Sequence, residues 1–325
     1  MDVATVRQYC GTTAAALAGG TAISLLLPQQ AARFEAATWP LIALLMFTMC
    51  ARIHWRDVQV ADDGRRFLRT MALMQAVTLP LLVALLLLPL PPNPTLQLSL
   101  LLVLLAPSTY WVVTFTHLGR GSVHQASLAT PVLLAGQLVL VPAWLLAMAP
   151  ATVPAAFALD RVVVVLAALV LAPMALAMIL DRLSDAFPAL RSLNRSAPRL
   201  STPLGVALIF LLSATHGREW IGHGTLLAWP LLGFGVFLLL TPALGWIAGR
   251  AACLSPVATR TLIFSLTARN ALVALPFALL LPEPALAAAA ILIGAAMEFA
   301  ALALYAHLVP QWIPDTQASA PSKSG

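Results

Sequence analysis

Apolar runs of about 20 residues recur along the whole chain and are separated by short polar stretches. A helix rises 1.5 Å per residue, so a run of this length matches the hydrocarbon thickness of a bilayer. The pattern predicts ten membrane-spanning helices, of which the second and seventh are short for a full crossing. The predicted spans are residues 11–27, 38–50, 69–88, 96–117, 123–148, 161–180, 201–215, 226–248, 259–281 and 285–309.

The composition agrees with a membrane protein. Hydrophobic residues make up 61% of the 325 residues and charged residues only 9%, with a mean hydropathy of +0.92. A soluble domain is close to half apolar and about a quarter charged, so a soluble core cannot absorb this much apolar surface. We therefore expect an all-α polytopic membrane protein, with the lipid bilayer as its principal partner, rather than two soluble domains.

The basic residues lie in the loops between the predicted spans. The net charge of +6 comes from eighteen Lys and Arg residues that do not form one patch with interleaved aromatic residues, so nucleic acid is not an expected partner. With ten spans and both termini on one side, fourteen basic residues fall on that side and three on the other, leaving Arg269 inside a span. Short basic loops stay in the cytoplasm, so we expect an inner-membrane protein with both termini cytoplasmic.

The ten spans divide into two sets of five at a Pro- and Ala-rich connector, residues 150–160. An odd number of spans in each half gives the halves opposite orientations, which is the inverted-repeat plan of many secondary transporters. The predicted organisation is a first repeat at residues 1–149, the connector, and a second repeat at residues 161–310. The tail, residues 311–325, is rich in Ser, Ala and Pro and is expected to be disordered and cytoplasmic.

The fourth predicted span contains a polar break. Pro107 is followed directly by Ser108, Thr109 and Tyr110. A proline inside a membrane helix frees a backbone carbonyl, which only neighbouring groups or a wet cavity can satisfy. The break can therefore line a solute site, or it is a simple kink whose hydroxyl groups bond back to their own helix.

The ninth predicted span contains a second polar break. Arg269 and Asn270 lie about eleven residues into this span, close to the bilayer midplane, and Thr267 lies two residues before Arg269. An arginine at this depth costs at least about 2.5 kcal/mol, so it needs a partner or water. If Arg269 contacts the substrate, its planar fork of donors favours an anionic or strongly polar solute; alternatively, it only holds helices together.

The spans that follow the two breaks each carry one deep polar residue, Gln137 in the fifth and Glu298 in the tenth. Glu298 can pair with Arg269 and neutralise both charges. It can instead bind a proton or Na⁺ during transport, or simply hold two helices together. Together with the break residues, these side chains form the candidate substrate and ion site.

Other kinds of chemistry find no support in the residues. The three cysteines are scattered singly, and no Cys/His cluster has metal-ligand spacing. No phosphate-binding Gly-rich motif with a lysine is present, and the only lysine is Lys323. Paired acidic residues or nucleophile motifs within the spans are also lacking. We therefore expect neither an enzyme nor a resident metal or cofactor, and coupling to an ion gradient of H⁺ or Na⁺.

Several short motifs resemble the bile acid:sodium symporter and arsenical-resistance permease superfamily. They lie at residues 104–109, 116–121, 129–131, 267–270 and 294–309. The resemblance implies a ten-helix inverted repeat in which two broken helices, the fourth and the ninth, cross at the substrate site. Glu298 matches a transport glutamate of the arsenite-efflux branch, Ser108 replaces its cysteine, and Asn270 matches one residue of the sodium sites in the other branch.

The leading expectation is a secondary transporter that moves a small anionic or metalloid solute by proton exchange, as an arsenite-efflux permease does. The first alternative is a sodium-coupled symporter for an organic anion of the bile acid type. A membrane scaffold or sensor that transports nothing is the alternative from a different class.

Overall fold

The computed structural model describes residues 3–51, 62–106, 112–148, 159–184 and 186–315. Over these residues the chain is almost entirely helical and contains no strand. The α-helices, in chain order, are α1 (Val3–Leu26), α2 (Ala31–Cys50), α3 (Asp62–Leu73), α4 (Leu79–Leu87), α5 (Pro94–Leu104), α6 (Val112–Leu118), α7 (Val123–Met148), α8 (Leu159–Leu166), α9 (Ala172–Leu183), α10 (Pro188–Gly222), α11 (Gly224–Ala251), α12 (Pro256–Thr267), α13 (Ala271–Ala278) and α14 (Pro284–Trp312).

Within the described residues, six helical segments are long and apolar enough to cross a membrane, and the bent helix α7 would make a seventh. The apolar parts of two further predicted spans are shorter, at Gly11–Leu26 and Pro94–Leu104. The protein is therefore a helical chain with several membrane-spanning segments. The count of ten spans and the inverted repeat stay predictions. Of the connector predicted at residues 150–160, residues 159 and 160 already belong to α8, and of the tail predicted to be disordered from residue 311, residues 311 and 312 still belong to α14; residues 150–158 and 316–325 lie outside the described residues.

The seventh predicted span is shorter than the helix that the structure shows. The sequence gives residues 201–215, but α10 runs from Pro188 to Gly222, and Ser196–Gly222 is one of the six candidate spans. The residues at each end of the apolar core are polar, so hydropathy alone ends the segment early. Their backbone nevertheless continues the helix, because a bilayer-spanning helix extends into the interfacial region at each side.

Two helices that appear continuous in sequence contain a single π-helical turn. Met74–Thr78 joins α3 to α4, and Ala167–Leu171 joins α8 to α9. Both turns precede a proline, Pro80 or Pro173. Because proline lacks an N–H, the preceding turn can widen without breaking a regular hydrogen bond at that position.

The broken segment α12–α13 lies at the centre of the protein. In its apolar stretch of 18 residues, 83% of the residues are buried inside the structure. The corresponding share is 22% for the peripheral segment Arg161–Leu183. Helix α14 packs against both α12 and α13, and α5 packs against α13 and α14. The polar residues of the ninth predicted span are therefore surrounded by protein rather than by lipid.

Candidate functional site: a polar cluster at a helix break

The predicted interruption of the ninth span is observed. Helix α12 ends at Thr267, α13 begins at Ala271, and residues 268–270 between them are not helical. The last regular helical bond runs from the Ala268 N–H to the Phe264 carbonyl at 2.9 Å. The backbone groups that follow need other partners, because no water is available inside a bilayer core.

Side chains supply these partners. The Arg269 N–H donates to Glu298 Oε1 at 2.8 Å, which replaces its bond within the helix. The Leu266 carbonyl accepts from Arg269 Nη2 at 2.6 Å, and the Ser265 carbonyl accepts a long bond from Gln75 Nε2 at 3.5 Å. The break is thus stabilised by three polar side chains that come from three different segments of the chain.

The guanidinium of Arg269 connects the break to helix α5. Its Nη1 donates to Gln75 Oε1 at 2.9 Å and to the Ala106 carbonyl at 3.2 Å, and its Cζ lies 5.7 Å from the centroid of the Phe237 ring. Carbonyls at the C-terminal end of a helix carry partial negative charge, so the Leu266 carbonyl at the end of α12 stabilises this cation, and the Ala106 carbonyl just beyond the end of α5 is a second acceptor. The Arg269 Nε is buried and has no hydrogen-bond partner among the described residues.

Glu298 lies on α14 and is buried with Arg269. Its carboxylate accepts from the backbone of Arg269, whereas the guanidinium donates to Gln75 and to backbone carbonyls. The two charges are therefore close but do not form the direct side-chain pair that the sequence left open. A pocket with room for about one water molecule lies beside Glu298, Arg269 and Thr267.

The predicted residue Gln137 joins this cluster through another amide. It lies near the bend of α7, and its Nε2 donates to Gln75 Oε1 at 3.2 Å. Gln137 also lines a cavity of about 140 Å³ whose other lining residues, Ala106 among them, are apolar. An apolar part of a solute can therefore lie next to the polar cluster.

The other two predicted residues of the break face different neighbours. Asn270 donates from Nδ2 to the Met49 sulfur at 3.4 Å, on the side of α2. The Thr267 hydroxyl lies 3.2 Å from the Thr241 hydroxyl of α11. Both predicted residues are buried. The break thus presents its polar groups to α2, α5, α11 and α14 together.

The candidate residues Pro107, Ser108, Thr109 and Tyr110 lie outside the described residues. Ala106, which directly precedes them, bonds to Arg269. The last described residue before the predicted break in the fourth span therefore contacts the break in the ninth.

Sequence reasoning missed Gln75, which contacts Arg269, Gln137 and the Ser265 carbonyl. It is a single amide deep in the third predicted span, which is the same signal that identified Gln137 in the fifth. Its position in the π-helical turn Met74–Thr78 fits the frequent occurrence of such turns at functional sites.

No family model matches this chain, and no curated protein matches it. The fold and the site define a multi-pass helical membrane protein with a buried polar cluster at a helix break. The likeness to the bile acid:sodium symporter and arsenical-resistance superfamily rests on the short motifs alone.

Proposed function

We propose that the protein is a secondary transporter of a small anionic or metalloid solute, with its site at the break between α12 and α13. The observation that carries this proposal is the burial of Arg269 and Glu298 together at that break. Charged groups inside a membrane protein are costly and commonly mark solute or ion pathways. Interrupted helices at mid-membrane are also where secondary transporters bind their substrates.

In this proposal Arg269 attracts the anion and Glu298 couples transport to an ion gradient. The Arg269 Nε–H is one of the guanidinium donors that the described protein groups leave open. Glu298 can exchange a proton while its second oxygen keeps the bond from the Arg269 backbone. Protonation of Glu298 would change the net charge of the cluster by one and thereby its attraction for an anion.

The alternative is sodium-coupled symport of an organic anion. The cavity of about 140 Å³ beside Gln137 favours it, because an apolar body can lie there while an acidic group reaches Arg269. The positive charge of Arg269 near the break opposes it, since Na⁺ would be repelled at short distance. Flux that is unchanged when Na⁺ is replaced by K⁺ would exclude this alternative.

The test is the variant Glu298→Gln in proteoliposomes. Glutamine keeps an oxygen that can accept from the Arg269 N–H, so the fold should survive while the exchangeable charge is lost. The wild type is first tested for uptake of arsenite, antimonite and a bile acid under an imposed pH gradient. We expect Glu298→Gln to reduce uptake of the transported compound to background. Growth of expressing cells on the same compounds provides a parallel readout.

The matched control is Glu219→Gln, because Glu219 is exposed. That variant should transport at the wild-type rate. Wild-type flux from Glu298→Gln would remove the coupling role. If the wild-type protein moved none of the solutes under either a proton or a sodium gradient, the scaffold or sensor alternative would be favoured.

A further inference from the structure

A second pocket beside the break is lined by sulfur. Met46, Met49 and Cys50 lie on one face of α2, at the i, i+3 and i+4 spacing that brings helical side chains together. Met174 faces the same pocket from α9. Four of the eight lining residues carry sulfur, whereas the whole 325-residue chain has only nine Met and three Cys. The pocket is therefore strongly enriched in soft ligands.

The remaining lining residues are Asn270 and three apolar side chains, Leu134, Val170 and Val273. None of the eight carries a carboxylate, an imidazole or a basic group. The Asn270 amide donates to the Met49 sulfur at 3.4 Å, which fixes the orientation of that thioether. The space is about 20 Å³, enough for a single ion or a single water molecule.

We infer that this pocket binds a soft monovalent metal cation, Cu(I) or Ag(I), through the thioethers of Met46, Met49 and Met174 and the sulfur of Cys50. Thioether and thiolate sulfur select Cu(I), so Cys50 releases its proton to solvent when the metal binds, whereas Na⁺, Mg²⁺ and Ca²⁺ need oxygen ligands that the lining offers only through Asn270. With one thiolate among the ligands, a monovalent ion leaves the site neutral, whereas a divalent ion would leave a net positive charge inside a membrane protein.

This site adjoins the proposed transport site, and Leu134, Val170 and Val273 line both the sulfur pocket and the cavity beside Gln137. The Arg269 guanidinium donates to Gln75, Ala106 and Leu266 and to none of the sulfur residues. Asn270 belongs to both surroundings, since it follows Arg269 in the break and contacts Met49. Binding of the metal would therefore hold α2 against the non-helical link.

The experiment measures Cu(I) bound by the purified full-length protein in detergent, in competition with a chromophoric Cu(I) chelator under reducing conditions. A Cys10→Ser, Cys253→Ser background leaves Cys50 as the one thiol of the sequence. We expect one Cu(I) per protein, with X-ray absorption showing sulfur as the only first-neighbour atom. The proposal would be overturned if the protein removed no Cu(I) from the chelator, or if the bound metal were coordinated by nitrogen and oxygen.

Leucine variants locate the site. Methionine and leucine have similar volumes, so Met46→Leu combined with Met174→Leu should fold normally, as checked by thermal unfolding. This variant should lose at least about tenfold in Cu(I) affinity, as expected when a metal site is impaired. Met71→Leu is the control, because Met71 is buried but does not line the pocket.

Unchanged affinity in the double variant would assign the bound metal elsewhere and overturn the proposal. The variant Glu298→Gln separates the two proposals. It should bind Cu(I) like the wild type even though it fails to transport, because Glu298 does not line the sulfur pocket. Loss of transport and loss of Cu(I) binding are thus independent results.

Discussion

Arg269 stabilises the break, and in our proposal it also attracts the solute. Its guanidinium donates to the carbonyls of Leu266 and Ala106, so removing the side chain leaves these buried acceptors without that donor, while the backbone bond to Glu298 remains. A structural role of this kind does not explain why a cation is used rather than a neutral donor. The open Nε–H and the adjacent Glu298 are what an anion site with a coupling carboxylate requires.

The variant Gln75→Glu distinguishes the structural role from the chemical one. Its carboxylate can accept from Arg269 and Gln137 as the amide oxygen does, and a bond to a charged group contributes about 1.5–3 kcal/mol against about 1 kcal/mol for a neutral one. Glutamate cannot make the long bond from Nε2 to the Ser265 carbonyl, which offsets this gain, so we expect thermal unfolding in detergent close to the wild-type temperature. Transport should fall at least about tenfold, because the added anion takes the place of the solute beside Arg269.

The control is Gln97→Glu, since Gln97 lies on α5 and bonds to the Pro91 carbonyl in a loop away from the break. It should leave transport unchanged. If Gln75→Glu also transports at the wild-type rate, Arg269 only joins helices and does not contact the solute.

The sequence located buried polar residues better than it located their partners. The sequence identifies them because a polar side chain deep in an apolar span is costly and therefore needs a partner or a function. These residues are Arg269, Asn270, Gln137 and Glu298. Gln75 carried the same signal. Contacts such as Asn270 with Met49 could not be predicted, because hydropathy gives the depth of a residue in the membrane but not its rotation toward a neighbour.

At the scale of elements, the close packing of α11 on α12 positions the break. Gly245 and Gly249 lie four residues apart on α11, and each faces α12. A Cβ atom at Gly249 would lie 2.5 Å from Thr259 Cγ2, closer than atoms can approach. Small residues at this spacing let two membrane helices approach closely, which maximises van der Waals contact.

The variant Gly245→Ala should therefore destabilise the protein. Its Cβ would lie 2.9 Å from Ile263 Cγ1 and 3.1 Å from the Ile263 Cα, so the backbone of α12 must move. Such overpacking typically costs about 1–3 kcal/mol. We expect a lower midpoint of thermal unfolding in detergent, together with weaker transport because α12 carries the break.

Gly235→Ala on the same helix is the matched control, since its Cβ would meet only Met297 Cε at 3.6 Å, an ordinary contact. It should unfold at the wild-type temperature or slightly above, because alanine favours a helix more than glycine does. Equal stability of the two variants would show that α11 and α12 can separate without loss.

The sequence predicted the type of these elements well and their ends poorly. Long apolar runs become helices because every backbone group in lipid must bond within the chain. The interruption at residues 268–270 followed from its polar residues. The extension of α10 to Gly222 did not, because helices continue into polar interfaces where hydropathy no longer marks them.

At the scale of the whole molecule, contacts between helix ends agree with the predicted alternation of sides. Asn93 Nδ2 donates to Glu283 Oε1 at 3.1 Å, and the His223 imidazole lies 3.7 Å from Glu283. All three residues lie in connections that the ten-span prediction assigns to the outer side. Residues of loops on opposite faces of a bilayer could not meet, so these contacts support the alternation.

The connections assigned to the cytoplasm also contact one another. The Ser122 N–H donates to the Thr261 hydroxyl at 2.7 Å, and Arg260 pairs with Asp315 near the end of the chain. Each of these residues belongs to an end that the charge bias places inside. These contacts are ones that the predicted alternation of sides requires, and the alternation stays a prediction, while the orientation of the whole molecule rests on the basic residues alone.

A native cysteine tests that orientation. Cys253 is exposed in the turn between α11 and α12, next to the basic residues Arg250 and Arg260, and should face the cytoplasm. In a Cys10→Ser, Cys50→Ser background, a membrane-impermeant maleimide should label Cys253 in inside-out vesicles but not in right-side-out ones. Glu283→Cys, with Cys253 also replaced by serine, should give the reverse pattern, because its turn is assigned to the other side. If both positions were labelled from the same side, the chain would not cross the membrane an odd number of times between them. If Cys253 were labelled only in right-side-out vesicles and the cysteine at 283 only in inside-out ones, both termini would lie outside.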